Sequence, residues 1–313
     1  MKRHTMSNIP FSTIAFLLLF AIGQAVEGQA TRTWVSVNGN DANDCSRANP
    51  CRTLSGALAK STAEGEIDIL DSGDFGSVTI DKSISVISPS DVLGGIQTST
   101  GNAITISAGP SDRVVLRGLT IEGLGAGLTG IKVLAAGSVQ VENCTINHFT
   151  QFGIDFVPSS ATATTGQLHV SNTIIRNNLG VSSGGIRIKP GANVSAIGMI
   201  ENTQLRNNFL NLRVEDNSKV MVKNTTAAVS SAAGFIAVSN VVGVTLNLVD
   251  CVAIGNVNAV KADNPNAMVR IANSMLAGNT NGFVTSGGGH IVTFGDVMNA
   301  DPGTATDPDI PKQ

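Results

Sequence analysis

The chain has 313 residues, a formal net charge of −3, and only 14% of its residues are Asp, Glu, Lys or Arg. So mild a balance leaves no electrostatic footprint for nucleic acid and no basic patch for a membrane surface. Thirty-four glycines, no tyrosine and abundant Asn, Ser, Thr and Val suit an all-β chain with many turns.

Residues 1–30 read as a signal peptide. Lys2 and Arg3 give a basic start, and residues 14–23 form an uncharged apolar run. That run is about half the ~20 residues a helix needs to cross a bilayer, so an uncleaved anchor fits it less well. Two small-x-small sites suit cleavage, Gly23-Gln24-Ala25 and Gly28-Gln29-Ala30. The second is preferred, because the strand-like Thr33-Trp34-Val35-Ser36-Val37 starts just beyond it. Cleavage there removes Lys2, Arg3 and Glu27, making the chain one charge more negative. No later apolar run reaches spanning length, so the expected product is secreted or periplasmic, with no membrane span.

Residues 31–65 read as an N-terminal cap. Cys45 and Cys51 flank a short loop in a chain bound for an oxidising compartment, which points to a local disulfide. Two free thiols or half a metal site are the alternatives. Residues 53–63 predict a short helix, with Thr53 as N-cap, an apolar stripe of Leu54, Ala57 and Leu58, and Gly65 as the stop.

Residues 66–298 carry a repeat of about 25 residues. Its register positions are Gly118, Asn143, Asn172, Asn202, Asn224, Asp250, Asn273 and Gly295. Four and two places before each stand apolar residues, Val139 and Val141 for example, with Gly198 and Thr293 the exceptions. Three places after stand Ile121, Ile146, Ile175, Leu205, Ala227, Ala253, Leu276 and Met298, expected to point inward. A second strand follows, usually opened by Gly, as in Gly130-Ile131, Gly153-Ile154, Gly185-Ile186 and Gly234-Phe235. Upstream, Val78 and Ile80, Ile84 and Val86, and Ile104 and Ile106 mark two less regular coils. One repeat buries four or five aliphatics at roughly 1.5–3 kcal/mol each, against about 1–2 kcal/mol of backbone entropy for every residue ordered. A single unit therefore cannot fold alone. Stacked units share their aliphatics, and uniform crossovers between parallel strands coil right-handedly. The fold class is an all-β, single-domain, right-handed parallel β-helix solenoid with a short N-terminal capping helix.

The register also settles the remaining cysteines. Cys144 and Cys251 share a column with Thr173, Thr203, Thr225 and Ser274, which marks a need for smallness. They lie four rungs apart, roughly 19 Å at the ~4.8 Å strand spacing, too far for a disulfide. Residues 299–313 hold three prolines and no aliphatic pattern, and read as a disordered tail.

The stretches Trp34-Val35-Ser36, Asn38-Gly39-Asn40-Asp41, Pro50-Cys51-Arg52-Thr53-Leu54, Ala57-Leu58, Gly65-Glu66-Ile67-Asp68-Ile69-Leu70 and Gly73 resemble the N-terminal cap of secreted right-handed β-helix proteins. These belong to the pectate-lyase-like superfamily, and the likeness is strongest to bacterial members known only as β-helix repeat proteins. The resemblance implies the fold and says little of function, because this fold hosts lyases, hydrolases, epimerases, adhesins and inert scaffolds.

The family's enzyme signatures are not met here. Arg187-Ile188-Lys189 matches a hydrolase tripeptide, but no paired aspartates precede it, and Gly289-His290 lies downstream instead of upstream. The absence of Tyr removes the epimerase motif. No segment matches the calcium and arginine motifs of pectate lyases. His148, His169 and His290 fall at different register positions, so no metal or other cofactor is implied. Phe149, Phe152 and Phe156 could form a small aromatic platform, but core or loop packing suits them better. One outward column carries charge: Lys132, Asp155, Arg187 and Arg213, with Lys261 further along. It reads first as a surface charge ladder, and alternatively as a shallow anion site for an acidic glycan around Arg187 and Arg213. The expectation is an exported scaffold or glycan-binding β-helix whose candidate partner is a polysaccharide. The alternative is a polysaccharide-active enzyme with an unrecognised site.

Overall fold

The computed structural model describes residues 29–159 and 165–306. Of the expected signal peptide, residues 1–30, all but Gln29 and Ala30 lies outside the described residues. Three parallel sheets stack along one axis, of 11, 10 and 9 strands, here called sheets I, II and III in the order a coil visits them. One regular coil runs through Ser138–Glu142 in sheet I, Thr145–Asn147 in sheet II and Phe152–Phe156 in sheet III. Each strand pairs with its counterparts one repeat before and after: Val139 aligns with Val114 and Leu168, Ile146 with Ile121 and Ile175, Ile154 with Ile131 and Ile186. The expected rungs are therefore the observed ones except at the last coil, and their aliphatics fill a single continuous core.

The register residues owe their identity to the backbone. All eight adopt a left-handed conformation, with φ between 45° and 73°. Gly and Asn tolerate that region where β-branched residues do not. The chain thereby turns between sheets I and II in two residues. The expected amide-to-amide link along this column occurs from Asn224 to Asn202 at 2.6 Å, and Asn273 reaches Asp250 in the same way.

A second, buried ladder lies six residues past the register position. Asn178, Asn208, Asn256 and Asn279 turn their amides into the corner between sheets II and III. Asn178 Nδ2 donates to Asn208 Oδ1 at 2.9 Å, Asn256 Nδ2 to Asn279 Oδ1 at 2.9 Å, and Asp301 receives the last amide at 2.6 Å. The glycines that open sheet III strands belong to this corner. A Cβ at Gly185 would stand 2.6 Å from the Asn211 carbonyl oxygen and 3.2 Å from Asn208 Nδ2.

The cap departs from expectation in one respect. Helix α1 spans Leu54–Lys60, with Thr53 as N-cap accepting from Gly56 N, and it buries Leu54, Ala57 and Leu58 over the first coil. It ends at Lys60 instead of continuing to Ala63, because strand Ser61–Ile69 begins at once and pairs with strand Ala30–Val35. Ser61 Oγ fixes the switch, donating to the Ala57 carbonyl and meeting Thr33 Oγ1 at 2.8 Å. Cys45 and Cys51 form the disulfide. Its loop is stitched to the first strand by Trp34 N to Cys45 O and Cys51 N to Trp34 O, both 2.9 Å.

Two further corrections fall at the C-terminal end. Met298 does not enter the core: Leu276 aligns with Asn299, one residue later, and Met298 is 64% exposed. An extra residue at the turn after Gly295 shifts the register. The tail is ordered as far as residue 306 and seals the last coil. Gly282 N donates to Pro302 O, Thr306 N to Ile291 O, and Asp301 terminates the asparagine ladder. Residues 307–313 lie outside the described residues.

Candidate functional site

The outward column of sheet III is aligned as the sequence implies. Lys132, Asp155, Arg187, Arg213, Ile236 and Lys261 occupy consecutive rungs, each opposite the next. Their alternation with Ile131, Ile154, Ile186 and Leu212, all buried in the core, turns these side chains away from it.

Burial is where the geometry departs from a surface ladder. Asp155 is 0% exposed and is bonded to Arg187, Nε to Oδ1 at 2.8 Å and Nη2 to Oδ2 at 2.9 Å. The same guanidinium lies over the Phe152 ring, 4.4 Å from its centroid. Phe152 opens the sheet III strand, while Phe149 and Phe156 are core residues. Arg213 does not share Asp155. Its Nε donates to Glu215 Oε1 at 2.8 Å, and Lys189 Nζ stands 3.3 Å from Glu215 Oε2, an oxygen with no hydrogen-bond partner among the described residues. Glu215 is buried like Asp155. Lys261 pairs with Asp263 at 2.9 Å, while Lys132 makes no ion pair among the described residues.

Glu215 and Lys189 are the site residues that sequence reasoning missed. The signal was available, because Glu215 has the parity of Arg213, and Lys189 that of Arg187, once Leu212 and Ile188 are placed inward. Five cations then share this face with three carboxylates, in a chain whose net charge is negative. Beside them runs a small apolar cluster separate from the main core: Leu210, Ala233, Ile236 and Val238, with Phe209 and Ala232.

These groups are poorly arranged for hydrolysis by a carboxylate pair. Asp155 and Glu215 are two rungs and two residues apart, about 12 Å between backbones at ~4.8 Å per strand and ~3.3 Å per residue. Glycosidases hold their pair about 5–9.5 Å apart. The carboxylates do not fit a calcium site either, since each is paired with a cation. Among the described residues no group of three His, Cys, Asp or Glu side chains could hold a metal. The described histidine contacts lie elsewhere, His148 with Glu122 and His169 with Glu201, each at 3.0 Å. Cys144 and Cys251 are buried free thiols, and burial pushes them up to about 12 and about 11.

The chain folds as a parallel β-helix. Its structure is similar to that of the pectate lyase Pel9A, with a TM-score of 0.65 and 16% sequence identity, over 90% of this chain and 82% of that one. A second match, the GH136 lacto-N-biosidase from Eubacterium ramulus, has a TM-score of 0.38 and 10% identity, over 90% of this chain and 68% of that one, and carries no argument. No protein-family model and no curated protein matches the sequence.

Proposed function

We propose that this is an exported β-helix protein that engages an acidic polysaccharide along the outward face of sheet III. The observation that carries the reading is the buried pair of Asp155 and Arg187. Buried ion pairs contribute little to stability, because desolvation offsets most of their attraction. What this one does is hold the partly exposed Arg187 guanidinium in fixed orientation, already stacked on Phe152. Arg213 is tied to Glu215 by one hydrogen bond, and Lys189 stands beside the same carboxylate. Rigid donors of this kind bind carboxylates and sugar hydroxyls with little ordering cost. The pectate lyase Pel9A shares the fold, which supports a polysaccharide over a purely structural scaffold. The disulfide fits an oxidising compartment, and among the described residues no helix is long and apolar enough to cross a membrane. Signal cleavage after Ala25 would leave intact the first strand, which opens at Ala30.

A second reading, cleavage of that polysaccharide, draws on Glu215 Oε2, a buried carboxylate oxygen facing Lys189 without a hydrogen-bond partner. The test is the mature protein beside Arg187→Gln/Arg213→Gln on immobilised polygalacturonate and alginate, with products followed as unsaturated and reducing ends. Binding by the wild type that falls at least tenfold in the double variant, and fades as salt rises, supports engagement. Product release abolished by Glu215→Gln would establish cleavage. Equal retention of wild type and double variant on every polymer would overturn the reading.

A further inference from the structure

Arg187 and Arg213 each own a carboxylate; a second arginine pair does not. Arg176 and Arg206 stand opposite one another on adjacent strands of sheet II, Ile174–Arg176 and Gln204–Arg206, facing away from the core that Ile175 and Leu205 fill. Among the described residues neither has an ion-pair or hydrogen-bond partner, and Arg176 Nε is buried without one. Their column continues to Asn147 on one side and Ala228 on the other, which supply no charge. Glu122, two rungs from Arg176, is the column's one carboxylate. Its oxygens are already taken by His148 Nδ1 at 3.0 Å, Leu124 N at 2.8 Å and Asn147 Nδ2 at 2.5 Å.

Like charges directly opposite one another destabilise a sheet, and a buried donor with no acceptor adds to the cost. The other arginines that stand opposite one another, Arg187 and Arg213, differ in having carboxylates of their own, Asp155 and Glu215, and Arg117 and Lys261 likewise meet Glu142 and Asp263. Two guanidiniums carried at opposite positions on strands about 4.8 Å apart can both donate N–H groups to one small oxyanion, and a guanidinium stays charged at any working pH. Beside them Asn207 Nδ2 donates to Asn177 Oδ1 at 2.7 Å, and Asn177 Nδ2 meets His148 Nε2 at 3.2 Å, so the neighbouring surface is itself fixed and polar.

We propose that Arg176 and Arg206 form an anion-binding site on the outward face of sheet II that takes a sulfate or carboxylate oxyanion. The anion supplies the countercharge this column lacks, and it joins two rungs that otherwise repel. The site lies on a different sheet from the Arg187 face and stands whether or not that face binds a polysaccharide.

The test compares wild type, Arg176→Gln, Arg206→Gln and the double variant in two measurements. Neither side chain has a polar partner among the described residues to lose, so all four proteins fold. In a low-salt zwitterionic buffer free of multivalent anions, each variant melts at or above the wild-type temperature, because a repulsion is removed. Titration calorimetry with sodium sulfate and, separately, with sodium galacturonate shows binding by the wild type. That binding weakens at least tenfold in each single variant, the loss of a charge-assisted hydrogen bond, and vanishes in the double. The tighter of the two anions identifies a sulfate ester or a uronate as the natural group. The proposal is overturned if neither anion binds wild type more tightly than the double variant, or if the variants melt several degrees lower without anion.

Discussion

Replacing Asn256 by Ala removes the centre of the buried ladder, and the loss can be worked out from its partners. The Asn256 amide donates to Ala227 O at 2.9 Å and to Asn279 Oδ1 at 2.9 Å, and accepts from Ser230 N at 3.0 Å and Asn211 Nδ2 at 3.2 Å. The residue is 2% exposed, so water does not replace it. Ala227 O, Asn279 Oδ1, Ser230 N and Asn211 Nδ2 each lose one hydrogen bond, at roughly 0.5–1.5 kcal/mol net apiece, or about 3 kcal/mol in all, with Asn211 Nδ2 keeping Ala228 O. Asp301 makes the contrast. It ends the same ladder, accepting from Asn279 N at 3.1 Å and Nδ2 at 2.6 Å, but it is only partly buried, so solvent can take over for Asp301→Ala at about 1 kcal/mol. Equilibrium urea unfolding of the two variants should show a midpoint drop about three times larger for Asn256→Ala at unchanged slope. Equal drops, or an Asn256→Ala protein within about 0.5 kcal/mol of wild type, would show that the ladder is decoration on a core that stands without it.

Gly185→Ala places a Cβ 2.6 Å from a backbone oxygen, whereas Gly243→Ala meets nothing closer than 3.7 Å; thermal melts should show the first destabilised by about 1–3 kcal/mol of overpacking and the second unchanged. Cys144 and Cys251, their thiols held up by burial, should resist alkylation at pH 8 in the folded protein and both react in denaturant, while Cys45 and Cys51 react only after reduction. The Asp112 carboxyl is held below the usual carboxylate range by the Ser83 hydroxyl, helped by Gly109 N. Its contribution is therefore complete above the unfolded value of about 4 and is lost as pH falls through the lower folded value. The stability gap between wild type and Asp112→Asn should stay constant from pH 7 to about 5 and close below about 4; a gap that widens on acidification would reverse the assignment.

Much of the fold is legible because the sequence repeats its instructions at each rung. Val139, Ile146 and Ile154 announce three inward faces, and Asn143 announces the left-handed turn between two of them. Legibility fails where a rung is unique. At Gly295 one additional residue moves Met298 out of the core, and no repeat beyond it could have revealed the shift. Helix α1 stops at Lys60 because Ser61 must pair with Ala30, a tertiary demand absent from local helix propensity. The inner ladder of Asn178, Asn208, Asn256 and Asn279 is periodic and could have been read, but surface asparagines at turns are so common that burial alone distinguishes it.

Charge was the hardest property to read, for a reason visible in the two arginine pairs. Parity places Arg187, Arg213, Arg176 and Arg206 outward alike, and in sequence the first pair looked like the one awaiting an anion. What separates them is the residue across the rung or two places along the strand: Asp155 and Glu215 for the first pair, Asn147 and Ala228 for the second. Column membership follows from periodicity, but compensation follows from which neighbours share a rung and which are already committed, as Glu122 is to His148. A solenoid multiplies this effect, because every outward charge has two stacked neighbours set by register and few set by sequence proximity. Uncompensated columns are therefore where a parallel β-helix should be searched for ligands, ahead of columns that merely contain the most charge.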